Sequence, residues 1–274
     1  MKSHPFRLTP YALLLTFLFV SAAGAGWVRQ TSNTTLGLWD ICFVDSLSGW
    51  AVGGRSSPFR SDTTLGICLR TTDGGDTWTT VYDTTGRSMM LSVSFANRSR
   101  GWMMGDSSFS LTTTDGGATW TVLPQVGTYF SAFALRFVND TLGYLVGGDF
   151  FGGIMEGSVL FRSTNAGTNW SWFGHYKYGQ WLFALDVCGP RWAWSLGRYD
   201  TLFRTNDAGN SWQSRPFSFP SRYFYGIAFS DTNLGISVSS YQSSIIRTSD
   251  GGVSWTERPC PTTRSLAAAE MSGL

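Results

Sequence analysis

The chain has 274 residues with 20 Lys and Arg, 18 Asp and Glu and two histidines, and only 14% of its residues are charged. With 42% hydrophobic residues, 13 Trp and 32 Gly, it can fill a sizeable core. This composition excludes an acidic or basic disordered chain. It also lacks the excess positive charge of a nucleic-acid binder.

At the N-terminus, Lys2 and Arg7 precede the apolar run Tyr11–Val20, and Ala23-Gly24-Ala25 follows as a small-x-small triplet. This is the charged, apolar and cleavage layout of a secretory signal peptide over residues 1–25. The apolar run is shorter than the ~20 residues that span a bilayer, so no stable membrane insertion is expected after cleavage. Loss of Lys2 and Arg7 leaves 18 basic and 18 acidic residues, a nearly neutral exported chain. A periplasmic, cell-surface or extracellular location follows from that reading. Export permits disulfides among Cys42, Cys68, Cys188 and Cys260, in any of three pairings. Cys42 and Cys68 lie within apolar runs and read slightly better as buried free thiols.

From residue 26 onward one pattern recurs. Arg70–Trp78 reads RTTDGGDTW, and related nonapeptides end at Trp120, Trp170, Trp212 and Trp255, in steps of 42, 50, 42 and 43 residues. Upstream of most of them lies an alternating apolar segment, such as Ile41-Cys42-Phe43, Val93-Ser94-Phe95, Leu135-Arg136-Phe137 and Ile227-Ala228-Phe229. A second segment follows it, as in Gly49-Trp50-Ala51-Val52-Gly53 and Gly101-Trp102-Met103-Met104-Gly105. The fourth repeat is looser, with Leu185-Asp186-Val187 and Arg191-Trp192-Ala193-Trp194. Four short strands per unit with no crossover helix, at a period near 40–45 residues, predict an all-β propeller. The repeats fall at about 38–83, 89–124, 131–173, 181–216 and 223–259, within a domain spanning 26–274. Leu266–Met271 stands where the first strand of a further unit would begin. Five blades therefore form an incomplete or fragmentary ring, or close with both ends packed as a cap.

The nonapeptide is a turn device. Asp73, Asp115, Asp207 and Asp250 accept backbone N–H groups across the hairpin, and Asn165 fills that place in the third repeat without charge. The glycine two residues on supplies positive φ, and Trp78, Trp120, Trp170, Trp212 and Trp255 lay an indole beneath the turn. One carboxylate per turn is too few for calcium, and no metal or cofactor is expected. His175, the single histidine left after leader removal, reads as a surface-loop residue.

This pattern resembles the Asp-box of the bacterial neuraminidase repeat. Its spacing and its GWAVG-like second strand are similar to the photosystem II stability/assembly factor family. The resemblance implies an exported, non-catalytic scaffold that holds a protein or peptide partner. A carbohydrate-active propeller, lectin-like or hydrolytic, is the alternative. A sialidase would need an Arg-Ile-Pro tripeptide and an arginine cluster, and the tripeptide is absent. Asp149, Glu156 and Asp200 are the acids a two-carboxylate glycosidase could recruit.

The Asp-boxes join strands three and four, so loops joining strands two and three and loops between blades gather on the opposite rim. The extensions Gly54–Gly66 and Gly148–Gly157 fall there. So do Arg55, Arg60, Phe150, Phe151, Tyr176, Trp181, Arg198, Tyr199, Arg222 and Tyr223, a mixture of arginine and aromatic groups suited to a protein interface or to stacking on sugars. Partner binding is expected on that rim, and no catalytic residue is assigned.

Overall fold

A computed structural model describes residues 29–55, 64–85, 88–126, 130–151, 154–173, 181–198, 201–216, 219, 223–239, 243–262 and 264–271. The expected signal peptide lies outside them. The chain divides into Met1–Thr31 and one compact unit, Ser32–Leu274, which holds the whole fold described below.

Among the described residues, twenty strands form five antiparallel four-stranded sheets, each in sequential order. Blade 1 contains β1 (Gly37–Phe43), β2 (Gly49–Arg55), β3 (Leu65–Thr71) and β4 (Thr79–Thr85). Blade 2 contains β5 (Met90–Phe95), β6 (Gly101–Gly105), β7 (Ser110–Thr113) and β8 (Thr121–Val122). Blade 3 has β9 (Phe130–Phe137), β10 (Gly143–Phe151), β11 (Ile154–Ser163) and β12 (Ser171–Trp172). Blade 4 has β13 (Leu182–Cys188), β14 (Trp192–Gly197), β15 (Thr201–Thr205) and β16 (Gln213–Pro216). Blade 5 has β17 (Phe224–Phe229), β18 (Gly235–Ser239), β19 (Ile245–Thr248) and β20 (Thr256–Arg258). The fold is a β-propeller of five blades, each packed against the next through its innermost strand.

Apolar residues on the two faces of each sheet create these contacts. Between blades 1 and 2, Trp50, Val52 and Cys68 meet Val93, Phe95, Met103 and Leu111 in one buried cluster. Equivalent clusters join blades 2 and 3, 3 and 4, and 4 and 5. Burying such side chains contributes roughly 1.5–3 kcal/mol each, so these seams dominate the stability.

An aromatic latch recurs at the seams. Trp50 stacks on Phe95 at 3.5 Å, Trp102 on Phe137 at 3.6 Å and Trp194 on Phe229 at 3.8 Å. The same indoles donate to Asp-box carbonyls of the next blade, at Gly116, Ala166 and Gly251 respectively. Each receiving Phe covers the first residue of its own second strand, which must be small. A Cβ on Gly101 would lie 2.3 Å from the Phe95 ring. Blade 4 changes both partners together: Val187 replaces the Phe and pairs with Ala193 instead of Gly. This exchange is why its sequence looks irregular.

The Asp-box turns have the predicted bonding. Asp115 accepts from Thr113 Oγ1 at 2.7 Å, from the Thr119 amide at 2.9 Å and from Thr119 Oγ1 at 2.6 Å. Thr113 Oγ1 in turn accepts the Gly117 amide at 2.9 Å. Asn165 accepts from Ser163 Oγ and the Asn169 amide only. All four cysteines are free thiols, and Cys68 is buried.

Leu266–Met271 forms no strand. It nevertheless runs along blade 5: the Leu266 amide bonds the Ser239 carbonyl, and its backbone at Ala268 and Ala269 sits so close to Gly226 that a Cβ there would clash.

Candidate functional site

The innermost strands β1, β5, β9, β13 and β17 surround an axial cavity of about 640 Å³, with Ala267–Ala269 contributing part of the wall. Every one of these strands is interrupted by a β-bulge near its start. The register slips at Leu38/Asp40, Met90/Ser92, Leu182/Ala184 and Phe224/Gly226, and opposite Val146/Gly147 for β9. The residues skipped are Trp39, Leu91, Phe133, Phe183 and Tyr225, and all five line the cavity. A bulge leaves one residue out of the ladder and re-aims its side chain. Five bulges at one level therefore build a collar of four aromatic rings and one leucine. Each lies thirteen residues after the preceding Asp-box tryptophan in blades 2 to 5.

The partner position of the bulge on the second strand is Gly53, Gly105, Gly147 or Gly197 in blades 1 to 4, and Ser239 in blade 5. In the four glycine blades a Cβ there would fall within about 2.1 Å of a carbonyl oxygen of the bulged segment. In four of the five blades the second glycine of the GWAVG pattern is thus a sequence mark of the collar.

The rings pack against one another. Phe183 stacks on Tyr225 at 4.6 Å, Phe133 lies 5.1 Å from Phe183, and Trp181 lies 5.6 Å from Phe133. Trp39, 61% exposed, lines the same cavity. Beyond it a groove of about 420 Å³ is lined by Thr35, Leu36, Gly37, Gly54, Arg55 and Met89.

Below the collar the cavity becomes charged. Arg136 pairs with Asp40 at 3.4 Å, and about a third of its side chain stays open. Crowding opposes its charge, but Asp40, Cys42 and Asp186 outweigh that and hold its pKa above the ordinary arginine value. Asp40 also accepts from Ser92 Oγ at 2.6 Å and the Val93 amide at 3.0 Å. Burial pushes the Asp186 carboxyl up to about 6, against the Phe229 and Val187 amides and Arg136 that stabilise its charge. Glu270 adds further negative charge from the C-terminal segment.

Of the residues expected on the rim, Arg55, Trp181, Arg198 and Tyr223 are described. Arg55 is exposed and lines the side groove. Trp181 joins the collar rings, and the Arg198 guanidinium lies 5.1 Å from the Tyr223 ring centre. Arg60, Tyr176, Tyr199 and Arg222, and the side chains of Phe150 and Phe151, lie outside the described residues, as do His175, Asp200 and the side chains of Asp149 and Glu156. Strand order puts the four described residues on the rim opposite the Asp-boxes, where the bulged starts of the inner strands also lie. Phe133, Phe183, Tyr225, Trp39 and Leu91 were absent from the expected set. Among the described residues there is no cluster of three or more His, Cys, Asp or Glu side chains able to hold a metal ion, and no helix long and apolar enough to cross a membrane.

Residues 20–125 match the family model described as photosynthesis system II assembly factor YCF48. No curated protein matches the chain. Among solved structures, "YCF48 bound to D1 peptide" is 17% identical, with 84% of each chain covered and a TM-score of 0.46. YCF48 from Cyanidioschyzon merolae is 16% identical, covering 86% of this chain and 88% of that one, with a TM-score of 0.44. The GH74 enzyme of Niastella koreensis is 14% identical with a TM-score of 0.58, over 81% of this chain but only 38% of that longer one. That last likeness is one of fold. The chain is an Asp-box β-propeller whose first repeats resemble those of the photosystem II assembly factor.

Proposed function

We propose that this chain is an exported, non-catalytic propeller that binds a peptide segment of a protein partner at the mouth of its axial cavity. One observation carries the reading: five bulges place Trp39, Leu91, Phe133, Phe183 and Tyr225 around one opening. A collar of rings offers large apolar contact area at little conformational cost, as interface anchors do. Arg55 and Arg198 on the same rim supply donors for backbone or acidic groups of the bound segment. The match of residues 20–125 to an assembly-factor family supports a scaffold role. It does not by itself extend to photosystems.

Selection of a displayed random-peptide library on the whole chain tests this. Enriched peptides should carry apolar or aromatic anchors and lose binding about 10–100-fold when Phe183 and Tyr225 are both changed to Ala, with folding unchanged. Turnover of an aryl glycoside panel would assign the cavity to hydrolysis. A glycan-array signal without turnover, together with no enriched peptide, would assign it to sugar binding.

A further inference from the structure

The inner strand of each blade ends in a pair of residues that receives the blade before it. In blades 2, 3 and 5 this pair is Val93 and Phe95, Leu135 and Phe137, and Ile227 and Phe229, all at most 7% exposed. Side chains of the preceding inner strand accept the amides of these pairs: Asp40 from Val93, Cys42 from Phe95, Ser92 from Leu135, Ser94 from Phe137 and Asp186 from Phe229. The preceding blade also supplies the stacked indole and its bond to the Asp-box carbonyl.

Blade 1 has the same receiving groups. Ile41 and Phe43 form the pair, and Gly74 holds the Asp-box place of Gly116 and Gly251. Yet Ile41 is 54% and Phe43 42% exposed, and Leu38 and Leu47 beside them are 41% and 49% exposed. The outer half of this face is already covered, since Leu36 packs over Ala51, Leu69 and Trp78. Only the inner half lies open. Among the described residues, no part of the chain can complete the latch. Blade 5 carries Ile236 where Trp50, Trp102 and Trp194 stand, and Gly226 and Ala228 where blade 1 has Asp40 and Cys42. Neither ring closure by blade 5 nor a second copy joined head to tail would bring an indole N–H or a side-chain acceptor.

We infer that the open flank of blade 1 is a docking surface for one further four-stranded blade of the same repeat type, supplied from outside the described residues. Its second strand carries a tryptophan that stacks on Phe43 and donates to the Gly74 carbonyl. Its inner strand carries Ser, Cys or Asp to accept the Phe43 amide, since the Ile41 amide already donates to Asp40 Oδ1 at 2.9 Å.

A tethered blade of that chemistry provides the probe. The chain from Thr34 onward is preceded by a second copy of residues 88–127, which sets Trp39 thirteen residues after the copied Trp120. Hydrogen exchange at the Phe43 amide should slow by about 10-fold or more relative to the unmodified chain, because a covered amide exchanges only on opening. Changing the copied Trp102 to Ile, the residue blade 5 carries, should remove most of that protection. Equal protection by the Ile form, or none by either, would overturn the proposal. So would a mass measurement in which the unmodified chain is a dimer separated by Phe43→Asp, since the occupant would then be a second copy.

Discussion

Asp73, Asp115 and Asp207 are held at about 2 by hydrogen bonds from a hydroxyl and an amide one turn on, while Asp186 is pushed up to about 6 by burial. These opposite shifts act in separate pH windows. An unfolded aspartate titrates near ~4, so the Asp-box groups stabilise the fold above that pH and lose their contribution as pH falls from about 4 to about 2. Asp186 favours its protonated form in the fold, so its contribution is present below about 4 and is lost as pH rises through about 6. Asp115→Ala should therefore lower the melting temperature at neutral pH and flatten the acid limb below pH 4. Asp186→Asn keeps an acceptor for the Phe229 amide and should abolish the change in melting temperature between about pH 4 and 6. A melting series from pH 2 to 8 on both variants checks both signs. Ala166 and Ala208 hold left-handed backbone, each at φ 61°, where the other boxes have glycine. Ala208→Gly should raise stability by about 1 kcal/mol, the usual cost of that conformation for a residue with a Cβ.

At the scale of the element, the Asp-box and the second strand were legible because each repeats a fixed chemistry: a hydroxyl, an acid and a glycine in the turn, and an aromatic after glycine in the strand. The fourth blade read as irregular because Val187 and Ala193 exchange together for Phe and Gly, which preserves the packing while erasing the motif. The collar was not legible. A bulge shifts alternation by one residue, so Phe133, Phe183 and Tyr225 read as ordinary members of apolar strands. The rim residues could be placed by strand order alone, since alternate loops of an up-and-down sheet lie on the same side. Gly105→Ala tests the link between glycine and bulge. Its Cβ would meet the Met89 carbonyl at 2.1 Å. The variant should lose at least about 2 kcal/mol in denaturant melts, since neither backbone nor side chain can yield cheaply.

On the scale of the whole molecule, the axial cavity and the open flank of blade 1 have different chemistry. The flank has the groups of a blade-to-blade seam, and its partner must be a folded sheet. The cavity offers rings above an ion pair, a shape suited to an extended segment entering from the rim opposite the Asp-boxes. The measurement that tests this account most directly is calorimetric titration of a library-selected peptide into three proteins: the unmodified chain, the Phe183→Ala/Tyr225→Ala variant, and Asp45→Asn, changed in the β1–β2 turn on the Asp-box rim where Asp45 pairs with Arg98. The account predicts binding about 10–100-fold weaker in the double variant and unchanged in the Asp45 variant. Full affinity in the double variant, with loss in the Asp45 variant, would put the site on the opposite face and contradict it.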